Sequence, residues 1–234
     1  MGTAAESLTH AAQLVAALDP HLVQIVSLSL RVSFSAVVIA VLVGLPLGAT
    51  IAVARFPGRQ SVIVALNALL GLPSVVVGLM VYLLLSRAGP LGSMGILFTP
   101  AAMVFAQSIL VTPIIAALSR QAIDDAWREY EEQLRSLGAT PVQAALTLVW
   151  DSRFSLLTTV LAGFGRAVAE VGAVMIVGGN IDGVTRVMTT AIALETSMGD
   201  LPLALGLGIV LIGLVMALNA AAHIVKEVAQ RRYG

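Results

Sequence analysis

Long uncharged stretches alternate with short polar ones along most of this chain. Residues 32–54 carry no charged side chain and exceed the about 20 residues that a helix needs to cross the hydrocarbon core of a bilayer. Four more apolar stretches follow, at residues 61–86, 101–118, 154–177 and 201–225. The pattern predicts an all-α integral membrane protein with five transmembrane helices.

The N-terminal region has a different, amphipathic pattern. Between residues 4 and 18, apolar side chains recur at helical spacing on the side opposite the polar ones. Asp19 followed by Pro20 is a typical helix start. We expect residues 1–30 to form helices at the membrane interface and residues 31–234 to form one transmembrane domain. Because the first positions are acidic rather than basic, we expect no cleaved signal peptide.

Glycine and proline mark the interruptions of the apolar stretches. Gly71 and Pro73 lie inside the second stretch and predict a kink there, because both residue types break helices. Residues 87–100 are expected to be a loop and residues 178–183 a turn. The apolar stretch at 184–196 is too short to cross a membrane and predicts a surface or re-entrant helix.

Composition agrees with the pattern and narrows the chemistry. Hydrophobic residues make up 58% of the chain and charged residues 11%, and the mean hydropathy is +0.97. The net charge is zero, so no basic field points to nucleic acid. Cysteine is absent, and no phosphate-binding, zinc-hydrolase or nucleophile motif occurs. We expect no cofactor, no metal site and no catalytic residue, with His10 and His21 as surface histidines.

Lys and Arg residues are distributed unequally between the two sides of the predicted helices. One side of the membrane has few basic residues: Arg87 and Arg186, with Arg31 at a boundary and Arg166 inside a span. Because cytosolic segments are enriched in basic residues, we predict an external N-terminus and a cytosolic C-terminus. The richer side holds nine: Arg55, Arg59, Arg120, Arg128, Arg135, Arg153, Lys226, Arg231 and Arg232.

The largest polar interruption, residues 119–153, is cytosolic in this topology. Gly138 is suited to a left-handed C-cap, and Thr140 with Pro141 is suited to start a second helix. Two short helices joined at a glycine predict a protruding elbow. The residue types alone allow two interpretations of its charged face, simple solvation or docking to a partner.

The spacing in this segment resembles the EAA loop of ABC-importer permeases. That loop reads Glu-Ala-Ala, three residues, Gly, nine residues, then Ile-x-Leu-Pro. Glu132 and Gly138 match it, Leu148 and Trp150 occupy the later positions, and Gln133, Leu134 and Asp151 replace the alanines and the proline. The resemblance implies a coupling helix that docks on an ATPase subunit, with the contact residues Glu132, Gln133, Leu134, Arg135, Leu137, Gly138 and Ala139.

A second segment extends the resemblance. Residues 165–173 and 178–181 look like the corresponding span of the molybdate, tungstate and sulfate permeases, and residues 189–196 most resemble the tungstate permeases. The resemblance implies a type I ABC importer permease core in a prokaryotic cell membrane. It also implies a homodimer with two ABC ATPase subunits and an extracytoplasmic oxyanion-binding protein, which together import tungstate by alternating access.

The fourth apolar stretch is the only one that carries charge. Arg166 and Glu170 are four residues apart and share one helix face deep in the span. They allow two interpretations, a self-neutralising structural pair or a cation on the path of the oxyanion, and Gln107 is a further path candidate. Because conduction needs weak sites, we expect a separate binding protein to set specificity.

Glycines and polar residues cluster near the outer end of the same stretch. We expect them to form an outer mouth, and we expect residues 87–99 and 180–190 to receive the binding protein. The mouth residues are Gly178, Gly179, Asn180, Thr185, Thr189 and Thr190.

Three alternatives to tungstate import remain open at this point. Molybdate or sulfate would be carried by the same architecture. An ATP-independent anion channel, or an intramembrane enzyme with Glu170 and Asp200 as acid and base, would need no cytosolic elbow. The elbow therefore favours the ATP-driven importer.

Overall fold

A computed structural model of the chain describes residues 4–233, except for the side chains of residues 4–7, 14, 225, 226 and 228–233. Over this range the regular structure is helical, without strands. One turn of 3-10 helix covers Gly92–Met94. The α-helices are α1 (Ala4–Ala16), α2 (Pro20–Val53), α3 (Arg59–Leu69), α4 (Ser74–Leu85), α5 (Pro100–Ser136), α6 (Pro141–Asp151), α7 (Arg153–Val168), α8 (Gly172–Gly178), α9 (Met188–Met198) and α10 (Leu201–Tyr233).

Helix α2 begins where the sequence predicts a helix start. The Asp19 carboxylate accepts hydrogen bonds from the backbone N–H groups of His21 (3.0 Å) and Leu22 (3.1 Å), and Pro20 is the first helical residue. The helix then continues for 34 residues. The expected boundary at residue 31 lies inside it, because no glycine or proline occurs between Pro20 and Gly44 to end the first part.

Two other helices are longer than the apolar stretches that predict them. α5 has 37 residues and continues to Ser136, well past the expected end at residue 118. Between Pro113 and Gly138 no glycine or proline occurs, so the helix continues from apolar into charged sequence. α10 likewise extends beyond the expected end at residue 225.

Two pairs of helices are separated by short breaks. α3 and α4 meet at an angle of 98°, at the kink predicted from Gly71 and Pro73. α7 and α8 meet at 56°, across residues 169–171, which contain neither glycine nor proline and lie inside the single span expected over 154–177. Within the described residues, α2, α5 and α10 are long and apolar enough to cross a membrane, and there are up to five spans if each bent pair is one.

The described chain divides into two compact units. The first unit contains the residues up to 36, residues 73–107 and residues 165–217. Its buried core includes Val81, Met103, Val177 and Met188.

The second unit contains residues 37–72, residues 108–164 and the residues from 218 onward. In it, α2 and α5 approach closely at Gly48, where an added Cβ would lie 2.5 Å from the Ala116 carbonyl oxygen. Only glycine allows that approach.

Candidate functional site

The elbow, residues 124–151, lies in the second unit and turns at Gly138. Gly138 has φ of 70°, a left-handed conformation that glycine adopts without steric cost. The Ala139 N–H donates to the Leu134 carbonyl and the Gly138 N–H to the Arg135 carbonyl, both at 3.0 Å. These two bonds make a Schellman motif, which ends α5 as the sequence predicts.

A capping box starts α6 immediately afterwards. The Gln143 N–H donates to the Thr140 hydroxyl at 3.4 Å, and the Thr140 N–H donates to the Gln143 side-chain oxygen at 2.9 Å. Pro141 occupies the first turn, where no backbone N–H is required. The predicted cap at Thr140 is therefore confirmed, with Gln143 as its partner.

One face of α6 is packed against the rest of the second unit. Ala144 and Leu148 are each 1% exposed and belong to a core cluster with Ala49 and Val53 of α2, Ile123 of α5 and Leu156 of α7. Their spacing of four residues places them on one side of the helix. This packing holds the elbow against the end of α2.

The other face of α6 is apolar and exposed. Val142, Leu146 and Trp150 are 69%, 66% and 72% exposed, and they follow one another at four-residue spacing. Leu137, at the turn, is 82% exposed. We call Leu137, Val142, Leu146 and Trp150 the apolar stripe. A row of large apolar side chains on a helix whose other face is packed is typical of a protein-docking surface.

A groove of about 340 Å³ adjoins the apolar stripe. One wall is formed by Leu45 to Ala54, at the end of α2 and directly after it, and the other by α6 between Pro141 and Val149. Thr50 is its one polar lining residue, and its hydroxyl already donates to the Pro46 carbonyl at 2.8 Å. The groove is therefore an apolar recess beside the stripe.

The structure places the predicted contact residues in two groups. Glu132, Gln133 and Gly138 are exposed, while Leu134 packs against the core cluster and Ala139 is half-buried. Arg135 forms an ion pair with Glu131 at 2.7 Å and lies 6.0 Å from the centre of the Trp127 ring. Nearby, the carboxylates of Glu129 and Asp151 raise the pKa of the Tyr130 hydroxyl.

Arg166 and Glu170 lie in the first unit, at the break between α7 and α8. Arg166 donates to the Glu170 carboxylate at 2.5 Å, and the other carboxylate oxygen accepts the Ala173 N–H at 3.2 Å. The Glu170 side chain is 3% exposed and that of Arg166 is 42% exposed. The pair therefore presents a half-exposed guanidinium that is held by a buried carboxylate.

Two polar side chains from elsewhere in the first unit bind the carbonyls at this break. Gln107 donates to the Ala167 carbonyl at 3.0 Å, and Thr189 donates to the Glu170 carbonyl at 2.7 Å. Both side chains are buried. Because a helix break frees carbonyl groups that must be satisfied away from water, these bonds stabilise the bend. The Gln107 side-chain oxygen is buried without a hydrogen-bond partner.

Residues 178–190, the segment expected to form the outer mouth, are largely hydrogen-bonded inward. The Thr185 hydroxyl donates to the Gly178 carbonyl at 2.6 Å and accepts the Ile181 N–H at 2.9 Å. The Thr190 hydroxyl accepts the Val187 N–H, and Asn180 donates to the Thr190 carbonyl. The hydrogen bonds of these side chains therefore stabilise the backbone conformation of the segment.

A chain of charges on this segment was not predicted. Asp182 pairs with His21 at 3.0 Å and with Arg186 at 3.3 Å, and Arg186 also lies 3.6 Å from Glu195. The bond from His21, together with the charge of Arg186, holds the pKa of the Asp182 carboxyl below its ordinary value. Only the four-residue spacing of Asp182 and Arg186 offers a signal in the sequence. Over the described residues, no group of three or more His, Asp or Glu side chains is placed to hold a metal ion.

Comparison with known proteins covers almost the whole chain. The sequence model of the family described as "Binding-protein-dependent transport system inner membrane component" matches residues 44–234. The tungstate uptake system permease protein TupB of Peptoclostridium acidaminophilum is 41% identical over 95% of this chain and 98% of its own. A probable anion ABC transporter permease protein of Haloferax volcanii is 40% identical over 86% of this chain and 88% of its own.

A solved structure shares the fold. A chain of the MetNI methionine ABC transporter, in inward-facing conformations, superposes with a TM-score of 0.72 over 89% of this chain and 96% of its own. The two sequences are 20% identical, so the likeness concerns the fold alone.

Proposed function

Because the chain belongs to the family of binding-protein-dependent transport system inner membrane components, we propose that it is the membrane permease subunit of an ATP-driven importer for tungstate. The predicted family and all-α permease fold are confirmed. The permease is non-catalytic, and ATP hydrolysis belongs to a separate subunit. Tungstate as substrate is supported by 41% identity to a tungstate uptake permease along nearly the full length of both chains.

The observation that carries this proposal is the two-faced helix α6. Ala144 and Leu148 fasten it to the second unit, while the apolar stripe remains available to another protein. An ATPase subunit that covers the stripe would bury apolar side chains, and the Schellman turn at Gly138 presents them at the end of α5. This arrangement fits a coupling helix and gives no advantage to a passive channel or to an intramembrane enzyme.

The wider assembly is a homodimer with two ATPase subunits, an external N-terminus and an elbow in the cytosol. Up to five membrane-spanning helices per chain are few to enclose a transport path, so the helices of two copies would line one common path. The binding protein would dock at residues 87–99 and 180–190, on the external side of the membrane. ATP binding and hydrolysis would then drive the two copies between outward-open and inward-open states.

Arg166 is the cation that we place on the path, with Glu170 and Gln107 beside it. The guanidinium is half-exposed, and the Glu170 carboxylate already neutralises it. Such a cation attracts an oxyanion weakly and lets it leave, as conduction requires. Specificity would then be set by the binding protein.

Reconstitution tests the substrate. The permease, its ATPase and the binding protein are placed in liposomes, and tungstate uptake is measured with ATP and with a non-hydrolysable analogue. We expect ATP-dependent uptake that excess molybdate reduces less than excess tungstate does, with sulfate the weakest competitor. Uptake that sulfate or molybdate abolishes more effectively than tungstate would contradict tungstate as the substrate.

Co-purification tests the docking surface. We expect Trp150→Ala combined with Val142→Ala to weaken ATPase association about tenfold or more, as loss of central apolar anchors does. Thr147→Ala is the matched control, because this exposed residue lies on the same helix and bonds only to its own backbone turn. Equal association of the two variants would refute the stripe as the docking surface.

A further inference from the structure

Asp124 lies at the start of the elbow and is surrounded by three arginines. Arg59 donates to one carboxylate oxygen at 2.8 Å, Arg128 donates to the other at 3.1 Å, and Arg120 lies 3.9 Å from that second oxygen. The Asp124 side chain is only 12% exposed. A carboxylate with so little contact with water needs such partners, and losing them would leave a buried charge uncompensated.

Arg59 connects this carboxylate to the end of another helix. Its guanidinium also donates to the carbonyls of Ile51 (2.7 Å) and Ala52 (3.1 Å), in the last turn of α2. Terminal carbonyls have no partner within their own helix, and a cation there also interacts favourably with the helix dipole. One side chain therefore binds the end of α2 and the elbow at once.

The core cluster supports the same connection through apolar contacts. Ala49, Ala52 and Val53 of α2 pack with Ile123, the residue next to Asp124, and with Leu148 of α6. Apolar contacts of this kind resist separation but are not directional, whereas hydrogen bonds to a buried carboxylate define one geometry. The Arg59–Asp124 pair therefore determines the register in which the elbow meets α2.

We propose that Asp124 is a positioning residue for transport: through Arg59 it makes the elbow and the end of α2 move as one body, so that ATPase motion reaches the membrane helix. This inference rests on the proposed function, because it needs an ATPase that moves the elbow. Asp124 contacts neither substrate nor ATPase in this role. Its loss would allow ATP hydrolysis to continue while less anion is moved per ATP.

Glu131 provides a matched control in the same unit. It also pairs with two arginines, Arg55 at 2.6 Å and Arg135 at 2.7 Å. Those arginine side chains are 70% and 53% exposed, so water replaces the pair at little cost. Glu131→Gln removes a similar charge pair from the same surface without disturbing the buried connection.

The first experiment measures tungstate transported per ATP hydrolysed by the full assembly in liposomes. We expect Asp124→Asn to retain ATPase association and to lower this ratio by about 3-fold to 30-fold, the range typical of coupling carried by such networks. Asp124→Glu should restore much of the ratio, and Glu131→Gln should leave it unchanged. Arg59→Gln should lower the ratio as Asp124→Asn does, and the double variant should be no worse than either single one.

The second experiment observes the connection without measuring transport. Since the chain has no cysteine, spin labels at Phe56→Cys and Thr147→Cys, placed in one of the two copies, report one distance between the α2–α3 turn and the elbow. We expect that distance to be narrow and equal in the nucleotide-free and ATP-bound assembly. Asp124→Asn should broaden it, and Glu131→Gln should not.

Each outcome bears on the inference. A wild-type distance that changes between nucleotide states would overturn it, even if Asp124→Asn failed to accumulate in the membrane. Tungstate uptake by the wild type with an unchanged ratio in Asp124→Asn would overturn it and leave the proposed function standing. A wild-type chain that neither binds nor stimulates an ATPase would overturn both.

Discussion

Two glycines, Gly138 and Gly179, end helices in the same way but in opposite surroundings. Both have φ of 70°. An added Cβ at Gly138 would meet nothing within 4 Å, whereas at Gly179 it would lie 2.9 Å from the Phe98 ring. One glycine therefore turns the chain outward at the elbow, and the other turns it into a packed segment.

The side chains that follow these glycines show the same difference. After Gly138, Val142, Leu146 and Trp150 are exposed, and the polar residues cap their own helix. After Gly179, Thr185, Thr189 and Thr190 are buried and bonded to the backbone. A surface that docks a partner must leave apolar groups uncovered, while a segment that holds a helix break must bind the backbone carbonyls that the break frees.

The largest difference in stability loss is expected between alanine variants of two leucines on opposite faces of α6. Leu148 is 1% exposed and Leu146 is 66% exposed. We expect Leu148→Ala to destabilise the protein by about 2–5 kcal/mol because it leaves a cavity in the core cluster. Leu146→Ala should change stability by less than about 0.5 kcal/mol. Unfolding in detergent measures both, and equal losses would contradict the two-faced helix.

Alanine at the two glycines should separate backbone strain from steric overlap. Gly138→Ala should cost about 1–2 kcal/mol, the strain of a left-handed residue that carries a Cβ. Gly179→Ala should destabilise the protein by about 1–3 kcal/mol more than Gly138→Ala does, because the added Cβ overlaps Phe98. The control is Gly179→Ala combined with Phe98→Leu, which should recover part of the additional loss. No difference between the single variants would contradict the packed surroundings of Gly179.

A smaller effect is expected at Thr189, whose hydroxyl binds the Glu170 carbonyl at the α7–α8 break. Thr189→Val should destabilise the protein by about 1–3 kcal/mol, since it leaves a buried carbonyl without a partner. Thr147→Val removes a hydroxyl that binds its own exposed helix turn, and should be nearly neutral. Thermal midpoints of the purified variants would show whether the two threonines differ.

The smallest effect should be the pH dependence contributed by Asp182. Its pKa in the folded protein is lowered from 3.8, first by the bond from His21 and then by the charge of Arg186. A carboxyl group whose pKa is lowered by folding stabilises the folded protein at pH values above its ordinary pKa. This contribution is lost as the pH falls through the pKa of the folded state. Asp182→Asn should therefore flatten the pH dependence of the thermal midpoint below about pH 4. A steeper dependence in the variant would contradict the direction.

Much of the fold was predictable because its signals are local. The cap at Asp19, the kink at Gly71 and Pro73, and the turn at Gly138 each depend on residues within one helical turn of one another. The break at residues 169–171 was missed for the converse reason. Its carbonyls are satisfied by Gln107 and Thr189, which are distant in sequence, so no breaker residue is needed at the bend itself.

The features of the candidate site also divide into those that local sequence predicts and those that only the packing shows. Glu132 and Gly138 were found by spacing, and they lie on the elbow as expected. The apolar stripe could have been found from the four-residue spacing of Val142, Leu146 and Trp150, but Ala144 and Leu148 also recur at four residues on the same helix. Only the packing of Ala144 and Leu148 against α2 distinguishes the exposed face from the buried one.

The sequence by itself therefore determined that the chain is a membrane protein with a capped elbow, because hydropathy and backbone conformation are set within a few neighbouring residues. Tertiary structure alone decided which glycine is packed, which face of α6 is free and which arginine from a distant part of the sequence binds Asp124. Arg59 and Asp124 are 65 positions apart, and Arg55 and Glu131 are 76 apart. Such pairings depend on which helices pack together, and no local pattern contains that choice.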